Sequence, residues 1–378
     1  MRRVLFTLLL LAVVTVAGAQ NAGSQAEVDA LKERIAKLEK RSEVWDKLKP
    51  AFQISGYLQA GYDLLWSDDG ETTTSSFHLR RARMTLQGDI YNGKAGKANY
   101  RIQVDLCKSP VIMDLWVKYQ PVNEFGAQIG QFKLPISIEN TDYNATRLEF
   151  VSYSNTVQRM SRNGSVDMTG INSSGRDIGL QFAGGFIERK DFDIINYEVG
   201  VFNGSGINVK DSNLSKDVAA RLTIQPLKLL KIAAYGLFGE IDATSLVSKY
   251  PGMIQQNKSA NVRYLRYNRF GGGFDYNDKN IFGRAEFIGG QTGDYTSAGV
   301  YGQVGYKLRD KFTVGVRYDY FVEDLNDEAP ELTTYSVAVS YRPWKHIRLQ
   351  AEYSLQETLY KDVTKLGNCL YFMATALF

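Results

Sequence analysis

From Ala51 to Phe378 apolar and polar residues alternate with a period of two. Over Ala51–Trp66, Phe52, Ile54, Leu58, Tyr62, Leu64 and Trp66 share one face, and Gln53, Ser55, Gln59 and Asp63 share the other. Successive side chains of a strand point to opposite faces, so this pattern predicts a strand with one oily and one wet side. The pattern returns in Ala82, Met84, Leu86 and Ile90 against Arg81, Arg83, Thr85, Gln87 and Asp89. It is cleaner still in Phe312, Val314, Val316, Tyr318 and Tyr320, opposed by Thr313, Arg317 and Asp319.

Sixteen such segments are predicted, at 51–67, 76–91, 97–107, 110–120, 124–134, 177–187, 192–203, 216–226, 229–240, 262–277, 280–291, 297–308, 311–322, 332–343, 346–356 and 367–378. Many reach the roughly ten residues that a tilted strand needs to cross a bilayer, longer than sandwich strands usually run. Their connections alternate between tight turns, such as Asp278-Lys279 and Trp344-Lys345, and mostly longer loops at 204–215, 241–261, 323–331 and 357–366. Short periplasmic turns opposite longer outer loops are the layout of an outer-membrane barrel. The sequence therefore predicts an all-β transmembrane protein, a 16-stranded antiparallel outer-membrane β-barrel over 51–378, with both chain ends at the periplasmic side.

One connection differs. Residues 135–176, about 40, show little periodicity and exceed the usual loop length. A barrel of 16 strands leaves an aqueous lumen, and a long loop folded into it would narrow it, so this segment is the candidate constriction loop.

The chain opens differently. Met1-Arg2-Arg3, the apolar run Val4–Val16 and Ala17-Gly18-Ala19 form a signal-peptide pattern, too short for a membrane-spanning helix. Residues 1–19 are expected to be removed near Ala19. Within 20–50, Val28, Leu31, Ile35, Leu38 and Trp45 follow three- and four-residue steps, the seam of a short coiled coil that Pro50 ends. About three heptads are marginal alone, so a periplasmic stalk joining the copies of an oligomer is expected.

Composition narrows the function classes. With 45 basic against 41 acidic residues the formal charge is +4, which is no nucleic-acid-binding balance. Two His and two Cys make a His-rich metal site or a disulfide framework improbable, and no cofactor is expected. His78 and His346 fall at opposite strand ends and no Gly-x-Ser-x-Gly elbow occurs, so an enzyme is not expected. A channel in contact with outer-membrane lipid is favoured over an adhesin or a substrate-specific receptor with little open conductance.

Several segments resemble the phosphate-selective porin O/P family: Phe77-His78-Leu79-Arg80-Arg81-Ala82-Arg83, Gly130-Gln131-Phe132-Lys133-Leu134-Pro135, Gly175-Arg176-Asp177-Ile178-Gly179-Leu180, and Tyr197-Glu198-Val199-Gly200-Val201-Phe202-Asn203-Gly204. Their order and spacing hold over most of 51–378. The resemblance implies a homotrimeric porin with an inward third loop and anion-preferring passive diffusion, phosphate among the permeants. Phe378, closing the alternation Leu370, Phe372, Ala374, Ala376, is similar to the C-terminal signature read by the outer-membrane assembly machinery.

A pore selects by its field, and lumen cations attract anions and offset their dehydration. Strand parity puts Arg81, Arg83, Arg101, Lys118, Arg221, Arg284, Arg317 and Arg348 inward, facing inward acids that include Asp63, Asp89, Asp105, Asp114, Asp217, Glu286, Asp319 and Glu352. Arg81 and Arg83 share one face two residues apart, as a basic track would, while Arg80 is expected on the opposite face. Lys133 sits where the long loop begins, and Arg147, Arg159 and Arg162 are the loop's own basic residues.

Overall fold

In the computed structural model, the described residues are 29–30, 32–37, 50–70, 73–211, 213–242, 264–309, 311–326 and 329–378. The predicted signal peptide, most of the predicted stalk and the loop at 241–261 lie wholly or largely outside them. Residues 29–30 and 32–37 are helical and carry surface pairs Lys32–Asp29 and Lys37–Glu33. They belong to a first unit, Met1–Gln53; the second is Ile54–Phe378.

The second unit is a barrel whose strands are β1 (Gln53–Ser67), β2 (Thr73–Gly93), β3 (Gly96–Asp105), β4 (Val111–Val122), β5 (Phe125–Lys133), β6 (Arg176–Arg189), β7 (Phe192–Phe202), β8 (Asp217–Leu227), β9 (Leu230–Asp242), β10 (Tyr264–Asn277), β11 (Ile281–Thr292), β12 (Tyr295–Leu308), β13 (Phe312–Val322), β14 (Glu331–Trp344), β15 (Ile347–Tyr360) and β16 (Val363–Leu377). Each strand pairs with its sequence neighbours, and β1 pairs antiparallel with β16 to close the ring. Closure leaves no edge strand, the condition for burying a sheet in lipid. All sixteen predicted strands are present.

The loop expected at 357–366 is a correction. β15 and β16 continue as one ladder to Tyr360↔Val363, closed by Lys361 and Asp362, both with positive φ. Two left-handed central residues match the right-handed twist of the flanking strands, so the turn is tight without glycine. Cys107 and Cys369 are both free.

Outward positions carry the oily face: Leu58, Ile129, Phe238, Phe270, Val304, Tyr335 and Phe372 are all exposed. Inward positions of β1–β8 are largely polar, as parity requires, with Gln59, Thr85, Gln103 and Arg221 buried. Inward positions of β9–β14 are different, because Tyr235, Leu237, Tyr267, Ile288, Tyr301, Phe321 and Leu332 point into the barrel as part of an apolar core. The rest of that core includes Phe132, Phe202, Ala219, Ile241, Leu265 and, from the long loop, Leu134, Ile136, Tyr143, Leu148, Tyr153, Val157, Met160 and Met168. One side of the lumen is thus filled by a packed core, and the channel is displaced to the other.

The pore and its constriction loop

The long loop leaves β5 after Lys133, and Leu134 N–H donates to Gly175 O at 2.9 Å, closing its neck. It carries two short helices, α1 (Ile138–Asp142) and α2 (Asn155–Met160). Ser137 and Ser154 cap them, accepting from Asn140 N at 3.1 Å and Val157 N at 3.2 Å. Helices this short are not stable alone, so tertiary contacts must hold them.

Wall carboxylates do so. Glu286 on β11 accepts from the backbone of Ile138 at 2.8 Å and Glu139 at 3.3 Å. Glu352 on β15 accepts from Val151 N at 2.6 Å. Asp319 on β13 accepts from Thr156 N at 3.1 Å and Thr156 Oγ1 at 2.7 Å, opposite the start of α2. Each carboxylate takes up donors that the loop would otherwise leave unsatisfied within the barrel.

The returning limb is held by Arg162, which has no exposed surface. Its guanidinium donates to Asp177 on β6 at 3.0 Å and Asp217 on β8 at 2.8 Å, and lies 4.4 Å from the Tyr267 ring centroid. Its backbone is left-handed, φ +54°, and its carbonyl accepts from Ser173 N and Gly175 N. A non-glycine residue keeps that conformation only where its surroundings over-determine it. Arg269 on β10 adds a bond from Nε to Met160 O at 3.1 Å.

The loop's own carboxyls split. Burial pushes Glu139 up to about 7, against the pull of Arg284 and Arg317. Burial acts on Asp142 in the same sense, but Arg221 and Lys231 outweigh it and hold Asp142 at about 2.

Across the lumen, the arc β1–β5 faces water. His78 reaches Asp63 at 3.6 Å and Arg80 donates to Ser152 Oγ of the loop at 2.8 Å. Arg81 donates to Gln59 Oε1 at 2.9 Å, and Arg83 pairs with Asp105 at 2.8 Å. All four are on lumen partners, so the two-residue alternation breaks between Arg80 and Arg81. Arg80 is therefore inward, not on the opposite face; Asp105 Oδ1 accepts the Ala82 N–H at the irregularity. Neither Arg80 nor Arg81 makes an ion pair among the described residues.

A cavity of about 280 Å³ beside this arc is lined by Arg83, Arg101, Lys133 and Arg176 with Asp114, Asp142 and Glu198. Arg101 and Arg176 share Asp114 at 3.1 and 2.6 Å. Lys133 turns into the loop base, donating to the carbonyls of Asn140 and Tyr143. Lys118 lines a neighbouring cavity of about 320 Å³ with Arg221, which pairs bidentately with Asp142 at 2.9 and 3.1 Å.

A second cationic group sits toward the end of the barrel carrying the short turns. There Arg147, Lys307, Arg342 and Arg348 line a cavity of about 430 Å³ with one acid, Glu149. Glu149 is itself engaged by Arg284 at 3.3 Å and Gln303 at 3.2 Å. Arg348 donates to the loop carbonyls of Thr146 and Glu149, leaving its Nε without a partner.

The predicted site residues thus divide. Among the described residues Arg81 and Lys118 face water without an ion pair; Arg83, Arg101 and Arg221 face it paired; Arg317, held by Glu352 at 3.2 Å, lines a further cavity with Arg159. Arg284 is fully buried among Asp275, Glu139 and Glu149. Arg162 is structural. Sequence reasoning missed Arg80, Arg176, Lys307 and Arg342. Parity would have found Arg342, which shares the face of Ser340 and Ser336, whereas Arg80 was hidden by the break in alternation.

A closed, lipid-facing ring around a polar lumen, narrowed by an inserted loop, defines an outer-membrane channel. The chain belongs to the family described as phosphate-selective porin O and P, whose profile matches residues 52–367. Among solved structures it is similar to the anion-selective porin from Comamonas acidovorans, with a TM-score of 0.64 and 11% identity over 86% of this chain and 99% of that one. It is also similar to the outer membrane channel DcaP of Acinetobacter baumannii, TM-score 0.58 and 15% identity over 86% and 97%. OmpT of Vibrio cholerae in its trimer form gives 0.58 and 12% over 86% and 99%. These likenesses carry the fold. No curated protein matches the sequence.

Proposed function

We propose that this porin is an anion-preferring channel for passive diffusion of small hydrophilic solutes, with phosphate among them, and that it works as a homotrimer. One observation carries the reading: the water-facing arc opposite the loop presents Arg80 and Arg81 without ion pairs among the described residues, and Arg80 reaches across to Ser152 at 2.8 Å. An anion passing that gap meets guanidinium donors in a narrow, low-dielectric space, where they offset the loss of hydration. The cluster of Arg147, Lys307, Arg342 and Arg348 would receive it at the short-turn end. The anion-selective porin among the structural neighbours is in keeping with this reading, and the trimeric OmpT with the trimer. The helical residues 32–37 accord with a periplasmic stalk, and Phe378 with an assembly signal.

The test is planar-bilayer conductance under a potassium chloride gradient, repeated with added phosphate. Stable open steps with a reversal potential favouring chloride are expected, and phosphate should reduce the chloride current. A reversal potential favouring potassium would overturn the anion reading. Folded protein with no conductance would instead indicate a receptor or adhesin.

A further inference from the structure

The wall of this barrel is not short of acids. Asp177, Asp217, Asp275, Glu286, Asp319 and Glu352 stand on six different strands and all point into the lumen. None is more than 7% exposed. Every one is covered by the same loop: Arg162 holds Asp177 and Asp217, Tyr143 Oη donates to Asp275 at 2.8 Å, and the loop backbone donates to the other three. Arg80 and Arg81 on the opposite arc have less cover: both are half-buried, Arg80 touches the loop through a single bond, and Arg81 bonds the wall residue Gln59.

We infer that the inserted loop sets the ion preference of this channel by masking wall carboxylates, and not only by narrowing the lumen. A carboxylate behind a layer of loop atoms, with donors on its oxygens, offers a passing cation neither contact nor coordination. Charge interactions fall with separation and are screened across water within about 8 Å at physiological salt. An ion in the channel therefore meets the half-buried guanidinium groups of Arg80 and Arg81 at close range and the covered acids weakly. The inference rests on the anion-preferring reading above and says where that preference comes from.

The loop's own charge makes the idea testable. Residues 135–175 contain Arg147, Arg159 and Arg162 against Glu139, Asp142, Glu149 and Asp167, one acid in excess. By that charge alone, removing the loop should shift the pore toward anions. Widening alone should bring the chloride-to-potassium ratio toward unity but not past it. Unmasking predicts a third result, a pore that prefers potassium.

Two sets of variants, read as reversal potentials under a potassium chloride gradient, decide the matter. In the intact chain, Glu286→Gln with Asp319→Asn should change the permeability ratio less than about twofold, because the acids are already hidden. Asp89→Asn with Asp193→Asn, acids on the uncovered arc and beside the Lys118 cavity, should raise it more. Replacing 138–160 by a short glycine linker should invert the preference, and Glu286→Gln with Asp319→Asn in that background should restore it. A ratio at or above unity in the loop-deleted pore would overturn the inference. So would an intact Glu286→Gln, Asp319→Asn channel gaining as much anion preference as the Asp89, Asp193 variant, and this arm stands even where the deleted chain does not fold. An intact wild-type pore without anion preference would remove the underlying reading instead.

Discussion

Gly56 and Phe378 exchange both backbone hydrogen bonds, Gly56 N to Phe378 O at 2.9 Å and Phe378 N to Gly56 O at 3.0 Å. The Phe378 ring lies over Gly56 so closely that a Cβ there would stand 2.4 Å from Phe378 Cζ and 2.7 Å from the Arg83 carbonyl. These two residues extend the seam that closes the barrel, β1 against β16. Gly56→Ala is expected to cost about 1–3 kcal/mol through forced displacement at this seam and to slow folding into detergent micelles. Deleting Phe378 removes both bonds and should impair insertion in cells. Wild-type levels of heat-resistant barrel on gels from either variant would count against a role for this contact in closure.

Selectivity should follow pairing state and not merely position. Arg80 and Arg81 make no ion pair among the described residues, whereas Arg83 is neutralised by Asp105. Arg80→Gln or Arg81→Gln is expected to lower the chloride-to-potassium permeability ratio by roughly threefold, as loss of one unscreened charge in a narrow lumen implies. Arg83→Gln alone should move it toward cations as well, because it frees Asp105. Bilayer reversal potentials check the set; equal ratios for wild type and Arg81→Gln would take Arg81 out of the selectivity role.

Arg162 should act on loop position. Removing one partner from a buried ion pair strands the other, at about 3–5 kcal/mol. Arg162→Ala leaves Asp177 and Asp217 together without a cation, so the loop's returning limb should detach before the barrel melts. Faster proteolytic cleavage within the loop, with an unchanged barrel melting transition, is the expected signature. Asp217→Asn, which keeps an acceptor for Arg162 and for Glu240 N, should be milder.

The buried carboxyl of Glu139 makes docking depend on pH. Its folded value of about 7 lies above the ordinary 4.5. A raised acid favours the docked loop fully below 4.5 and loses that contribution as pH rises through 7, on the order of 3 kcal/mol in all. Arg284 and Arg317 limit the loss and Glu286 adds to it. Loop cleavage and open-channel noise should therefore rise between about pH 4.5 and 7 and level off above 7. Glu139→Gln should flatten both profiles; an unaltered pH dependence in that variant would exclude Glu139 as the cause.

Much of this architecture was legible in residue order. Alternation located every strand because a sheet with lipid on one side and water on the other must sort its side chains by parity. Arg221, Arg317 and Arg348, which parity turns inward, are buried and bonded to Asp142, Glu352 and the Thr146 carbonyl. Parity failed at Arg80, where one break in alternation turns a neighbour inward, and at Lys361-Asp362, where a tight turn carries no glycine. Inward apolar residues such as Leu237, Ile288 and Phe321 were a readable sign of what the loop docks against, because two adjacent apolar residues in a strand mean both faces are dry.

The sequence by itself determined the barrel, its strand number and the existence of one long inserted segment. These depend on neighbours two residues apart, or on the length between strands. Only the tertiary structure decided which charges an ion can meet. That Arg162 is sealed between Asp177 and Asp217 while Arg81 stands open depends on pairings across 15, 55 and 22 positions of chain. Electrostatic environment is set by distance in space and by what covers a group, and the order of residues along a strand records neither.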